Sequence, residues 1–147
     1  MKKQILFLAA CMAYGFTQAQ DIVSGQVPSL ILNAFTTTYP KASDVEWEKE
    51  MKFYKVEFET GWNRDHEIWY DETGEMIKHQ EDISVGELPE AVNNIINTDF
   101  KGYGIDDLER ITSKDQVVYK MELNSLLQQD YDLVVDAKGN VLSKMVD

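Results

Sequence analysis

Few side chains in this sequence carry reactive chemistry. Two histidines, His66 and His79, stand among the carboxylates Asp65, Glu67 and Glu81. Imidazole and carboxylate together are a zinc ligand set. Metal-binding histidines usually sit at i, i+3 or i+4, or beside cysteines. Here they fall on successive strands, so both read as sheet residues and no metal is expected. The acidic stretches 71–75 and 136–139 raise the question of calcium. A calcium loop needs several oxygen ligands in an Asp-x-Asp-x-Asp-Gly pattern. Neither stretch has it, and turn chemistry explains both. Glu57 and Glu59 have the chemistry to flank a glycosidic bond, but in a chain with 26 acidic residues such pairs carry no information. Gly102-Tyr103-Gly104 reads as a helix exit. There is no Gly-x-Ser-x-Gly, phosphate loop or Gly-x-Gly-x-x-Gly. The expectation is a protein without catalytic residues and without a cofactor.

The aromatic residues are better candidates. Trp47, Trp62 and Trp69 all fall in the first half of the chain. Strand alternation turns Trp69 away from Ile68 and Tyr70, and Phe53 away from Tyr54. Trp62 lies in a Gly61-Trp62-Asn63 turn. Exposed tryptophans rimmed by charge mark binding surfaces. The candidate surface is therefore Trp69, Phe53, Trp62 and Trp47 with the charged neighbours Lys55, Glu57 and Glu67.

These residues must be positioned by elements, and the elements occur twice. Val27-Pro28 returns as Leu88-Pro89, displaced by 61. Tyr54-Lys55-Val56-Glu57-Phe58 returns as Tyr119-Lys120-Met121-Glu122-Leu123, displaced by 65. The turn Asp71-Glu72-Thr73-Gly74 returns as Asp136-Ala137-Lys138-Gly139, also displaced by 65. The second copy thus holds about four extra residues between Gly102 and Val118. Each copy opens on a helix with proline in its first turn. Leu30, Ile31, Ala34, Phe35 and Thr38 stripe the first helix, and Pro40 stops it. Val92, Ile95, Ile96 and Phe100 stripe the second, which ends at Gly102 and Gly104. Four strands follow each helix. The first is short, near 45–48 and near 108–112. Tyr54, Val56 and Phe58 alternate with Lys55, Glu57 and Glu59, giving one apolar and one charged face. Asp and Gly at the hairpin turns supply the side-chain acceptor and the left-handed residue. The predicted fold is α+β: two tandem helix-plus-four-strand repeats, about 26–83 and 87–147, in one domain. Its antiparallel sheet has eight strands, with the helices on one face. One curved sheet buries more than two separate ones, though the pattern admits both.

The first 19 residues precede this domain. Met1-Lys2-Lys3-Gln4 is basic, Ile5 to Phe16 is mostly apolar, and Thr17-Gln18-Ala19 is small at the cleavage position, as in a signal peptide. The apolar run is shorter than the ~20 residues a membrane span needs. Cleavage after Ala19 predicts a periplasmic or secreted protein with no stable membrane insertion. The rival is a lipoprotein anchored at Cys11, the only cysteine. Removing 19 of 147 residues leaves 128, with 12 basic against 26 acidic side chains, net −14. That charge repels nucleic acid.

The run Val27-Pro28, Ala34-Phe35, Tyr39-Pro40-Lys41-Ala42 and Val45-Glu46-Trp47, continued by Trp69-Tyr70-Asp71-Glu72-Thr73-Gly74, resembles the PepSY-like secreted proteins with a β-lactamase-inhibitor-protein-like fold. The second copy departs from it, with Phe100-Lys101-Gly102-Tyr103 in place of Tyr-Pro. The resemblance implies export and a binding or inhibitory role, and it carries over no functional residue. The expected function is a non-enzymatic binding module, monomer or weak dimer, contacting a protein or peptide. The alternatives are an inhibitor of an envelope hydrolase, of protease or β-lactamase type, and a small carbohydrate- or lipid-handling protein.

Overall fold

The structure is a computed structural model and describes residues 19–61, 63–114 and 116–146. The expected leader, apart from Ala19, lies outside the described residues, as do Cys11 and Trp62.

The chain runs β1 (Gln20–Ile22), α1 (Ser29–Thr38), β2 (Ser43–Glu50), β3 (Phe53–Thr60), β4 (Arg64–Tyr70), β5 (Met76–Asp82), α2 (Glu90–Asp99), β6 (Gly104–Ser113), β7 (Gln116–Asn124), β8 (Tyr131–Asp136) and β9 (Val141–Val146). The strands form one antiparallel sheet in sequence order, β1 to β9, so β1 and β9 are its edges. Among the described residues nine strands replace the eight expected. The addition is β1, whose Ile22 pairs with Trp47. Three residues with one apolar side chain leave no alternation to read, and the strand exists through its backbone bonds to β2.

β2 and β6 are also longer than their sequence pattern suggested. Each carries an irregularity, between Ser43 and Glu46 and between Asp106 and Glu109. Asp44 and Asp107 take φ of 49° and 44° there. A bulge breaks the two-residue period, so the pattern stops where the strand does not.

Pro28 and Pro89 cap the two helices, one position before the first turn. Tyr39, held out of the α region by Pro40, closes α1 at φ −123° and ψ 64°. Ile31 and Phe35 of α1, and Val92 and Ile96 of α2, are buried. Leu30, expected in the α1 stripe, is instead 59 % exposed and leans over the 71–74 turn.

The strand register shows that both helices cover the same face. Phe58, His66, Glu81, Arg110, Tyr119 and Val135 are successive partners across β3 to β8. Directly paired residues share a face. Phe58 packs in a core under α1 with Val27, Ile31, Phe35, Trp47, Val56, Ile68 and Tyr70. Tyr119 and Val135 belong to a second core under α2 with Val92, Ile96, Met121, Leu123 and Leu133. Each fully buried aliphatic side chain here contributes about 1.5–3 kcal/mol. Between the two cores the same face turns polar, at His66, His79, Glu81 and Arg110.

Candidate functional site

Two surfaces gather the chemistry-bearing residues. The first is the sheet face opposite the helices. Lys55, Trp69 and Lys78 are successive partners there across β3, β4 and β5, and Glu57, Glu67 and Gln80 form the next row. Trp69 is half-buried, and its Nε1–H donates to Glu50 Oε2 at 3.1 Å. Lys78 Nζ stands 3.9 Å and Lys55 Nζ 5.6 Å from its ring centroid, so the ring lies between two ammonium groups. Lys55 also meets Glu48 at 3.5 Å, Glu67 at 3.7 Å, and Glu57. Burial pulls the Lys55 ammonium down. The hydrogen bond to Glu57 and the fields of Glu67, Glu57 and Glu48 outweigh it, and its pKa ends above the ordinary value. Burial raises Glu67, with Lys55 opposing. Phe53, half-buried, pairs with Glu50 at the end of this face.

Five of the seven predicted binding residues therefore come together: Trp69, Phe53, Lys55, Glu57 and Glu67. Trp47 does not. It is 5 % exposed, in edge contact with Phe35 at 5.3 Å, and so belongs to the first core. Its partner Val56 is itself a core residue. Trp62 lies outside the described residues.

The second surface is the polar seam between the cores, which the sequence reading missed as a unit. His66 Nδ1 lies 3.0 Å from His79 Nε2, and His66 Nε2 lies 2.6 Å from Thr60 Oγ1. Glu81 Oε2 stands 3.9 Å from His66 Nδ1. Arg110 donates twice to Glu81 Oε1, at 3.0 and 2.8 Å. Arg64 donates to both oxygens of Glu87, at 3.0 and 2.7 Å. The His66 ring lies parallel to Phe58, 4.9 Å between centroids, and 6.0 Å from Tyr39 at the end of α1. Burial depresses both histidines below their ordinary pKa against the opposing pull of Glu81. Glu87 is held at about 2, by the Ser84 backbone N–H first and by Arg64. The sequence carried no direct signal for this convergence. Counting outward from the Asp71–Gly74 turn misses it, because an irregularity between Trp69 and Tyr70 shifts the register and sets His79 opposite Ile68 and Glu81 opposite His66.

The turns weighed as calcium loops use their own carboxylates. Asp71 Oδ1 accepts from the backbone of Thr73 and Glu75, and Asp136 Oδ1 from that of Lys138 and Asn140. A shallow depression of about 540 Å³ lies beside Gly102, Gly104 and residues 124–128, where Leu126 and Leu127 are fully exposed. No titratable side chain lines it.

A family described as "Putative beta-lactamase-inhibitor-like, PepSY-like" matches residues 16–78 and again 52–143. Among solved structures, a DUF2874 family protein from Bacteroides uniformis is 21 % identical, with TM-score 0.68, covering 82 % of this chain and 89 % of its own. A structure from Bacteroides eggerthii described as "putative periplasmic proteins" has the same TM-score and identity, over 83 % of this chain and 90 % of its own. A BLIP-like protein from Bacteroides fragilis is 19 % identical, with TM-score 0.64, over 84 % and 89 %. At such identities the likeness shows a shared fold. No curated protein sequence matches the chain. No helix among the described residues is long and apolar enough to cross a membrane.

Proposed function

The chain belongs to the beta-lactamase-inhibitor-like, PepSY-like family, and from that premise we propose that it is an exported, periplasmic binding module that performs no catalysis and contacts a protein or peptide through its open sheet face. The observation that carries this reading is the setting of Trp69. Its ring is fixed by Glu50, Lys55 and Lys78 before any partner arrives. A side chain already held in one rotamer loses little entropy on binding, and tryptophan offers a large contact area. The surrounding charges set orientation. The same premise supports reading the chain as a duplicated helix-plus-four-strand unit, since Asp71 and Asp136 close equivalent turns 65 residues apart.

The test is recovery of envelope proteins on immobilised wild-type chain and on Trp69→Ala. Loss of a specific partner from the folded variant supports the proposal. Unchanged recovery removes this face.

A second reading, inhibition of an envelope hydrolase, draws on the family description and on Leu126 and Leu127. Their loop is braced by Ser125 N–H to Asp130 Oδ1 at 2.7 Å and by Tyr103 O–H to the Gln129 carbonyl at 3.0 Å. It predicts dose-dependent loss of activity in a panel of β-lactamases and proteases, relieved by Leu126→Ser with Leu127→Ser. No loss across the panel ends it.

A further inference from the structure

We propose that His66, His79 and Glu81 form a binding site for a divalent transition cation of the zinc class, in the polar seam between the two cores. The three side chains offer one ligand atom each, all within 4.8 Å of one another. Two ligand atoms around a tetrahedral zinc, each bonded at about 2.0–2.1 Å, stand about 3.3–3.4 Å apart. The two imidazole nitrogens, at 3.0 Å, are within a few tenths of an ångström of that separation. Glu81 Oε2, at 3.9 Å from His66 Nδ1, is about half an ångström beyond it.

The surroundings prepare each ligand. Thr60 Oγ1 accepts from His66 Nε2–H at 2.6 Å. That assignment leaves the Nδ1 lone pair facing His79, and a hydrogen bond at the far ring nitrogen is how ligating histidines are usually oriented. Phe58 and Tyr39 hold the plane of the same ring. Arg110 occupies only Oε1 of Glu81. Oε2 stands 3.8 Å from Arg64 and 3.9 Å from His66, outside hydrogen-bond range, and is the oxygen available to an ion. The two arginines do not block a cation by charge alone. Arg64 is matched by Glu87 and Arg110 by Glu81.

Without an ion, His79 Nε2–H donates to His66 Nδ1. With one, the ion takes the place of that hydrogen, His79 carries its proton on Nδ1, and both rings tilt so that their lone pairs meet. His79 is half-buried, which leaves a side from which water or another donor completes the coordination.

The test is titration of Co²⁺ and Zn²⁺ into the full chain after leader removal, with imidazole ¹⁵N spectra. One equivalent of Co²⁺ is expected to give the intense visible absorption of four-coordinate cobalt, displaced by Zn²⁺, and to move the nitrogens of both His66 and His79. His66→Gln and His79→Gln each weaken binding by about 100-fold, and Thr60→Val by about 10-fold, the range for removing a ligand's supporting contact. Two results overturn the site. One is the absence of the absorption together with unmoved imidazole nitrogens at one equivalent. The other is equal affinity in the folded His66→Gln/His79→Gln double variant, which assigns the ion to surface carboxylates. If a variant fails to fold, the nitrogen spectra of the unaltered chain decide.

Discussion

Trp47 and Trp69 are alike in type and opposite in role, and the contrast is measurable. Trp47 fills the first core, so Trp47→Ala loses transfer free energy and leaves a cavity, at a cost of about 3–5 kcal/mol in urea unfolding. Trp69 lies on the open face, and Trp69→Ala is expected to cost about 1 kcal/mol or less while abolishing partner capture. Equal costs would mean that Trp69 is a core residue. Glu87 gives a pH prediction. Its folded pKa, about 2, lies below the ordinary 4.5. Its contribution to stability is therefore present above pH 4.5 and is lost as pH falls from 4.5 towards 2. The Glu87 side-chain carboxyl carbon, followed by NMR, should titrate near 2 in the native chain and nearer the ordinary value in Arg64→Ala. At this scale the sequence revealed the open-face set through alternation alone. It did not reveal Trp47, because the irregularity before Glu46 disrupts the count that would have turned that ring inward.

The elements depend on a few backbone positions with no freedom. Gly139 has φ +85°, and a Cβ there would stand 2.8 Å from the Ala91 carbonyl oxygen in the first turn of α2. Gly61 also has positive φ, +62°, but open space around it. Gly61→Ala is therefore expected to cost about 1 kcal/mol, the conformational penalty alone. Gly139→Ala adds a backbone clash that only a shift of α2 relieves, and its loss of melting temperature should be clearly the larger. Similar losses would show that helix and turn are not in contact. The helices, hairpin turns and central strands were legible because their signals are local: proline at helix starts and stops, Asp and Gly at turns, period-two apolar runs between them. The full lengths of β2 and β6 and the existence of β1 were not, since each depends on a neighbour's backbone.

At the scale of the molecule, the described residues form one sheet carrying two apolar cores, with His66, His79, Glu81 and Arg110 between them. Apolar packing links residues within each core, while β5 and β6 join them through backbone bonds and ion pairs such as Arg110–Glu81. Native-state hydrogen exchange should therefore show two protection units meeting at β5 and β6. Phe35→Ala should lower protection in β3 and β4 more than in β7 and β8, whereas a uniform fall would mean a single cooperative unit. That both helices share a face was legible from the preference for burying two amphipathic halves together. The seam was not, because its members are 66 to 110 in the chain and meet only through register. The sheet order sets a limit on how copies can associate. One margin ends in β1, three residues long, and the other in β9, six residues of which Val141, Met145 and Val146 are exposed. Two molecules joined antiparallel along β9 would be related by a twofold axis and would use up both long margins at once. Among the described residues only the three-residue stubs would remain for growth, so the route through the described strands closes at a pair.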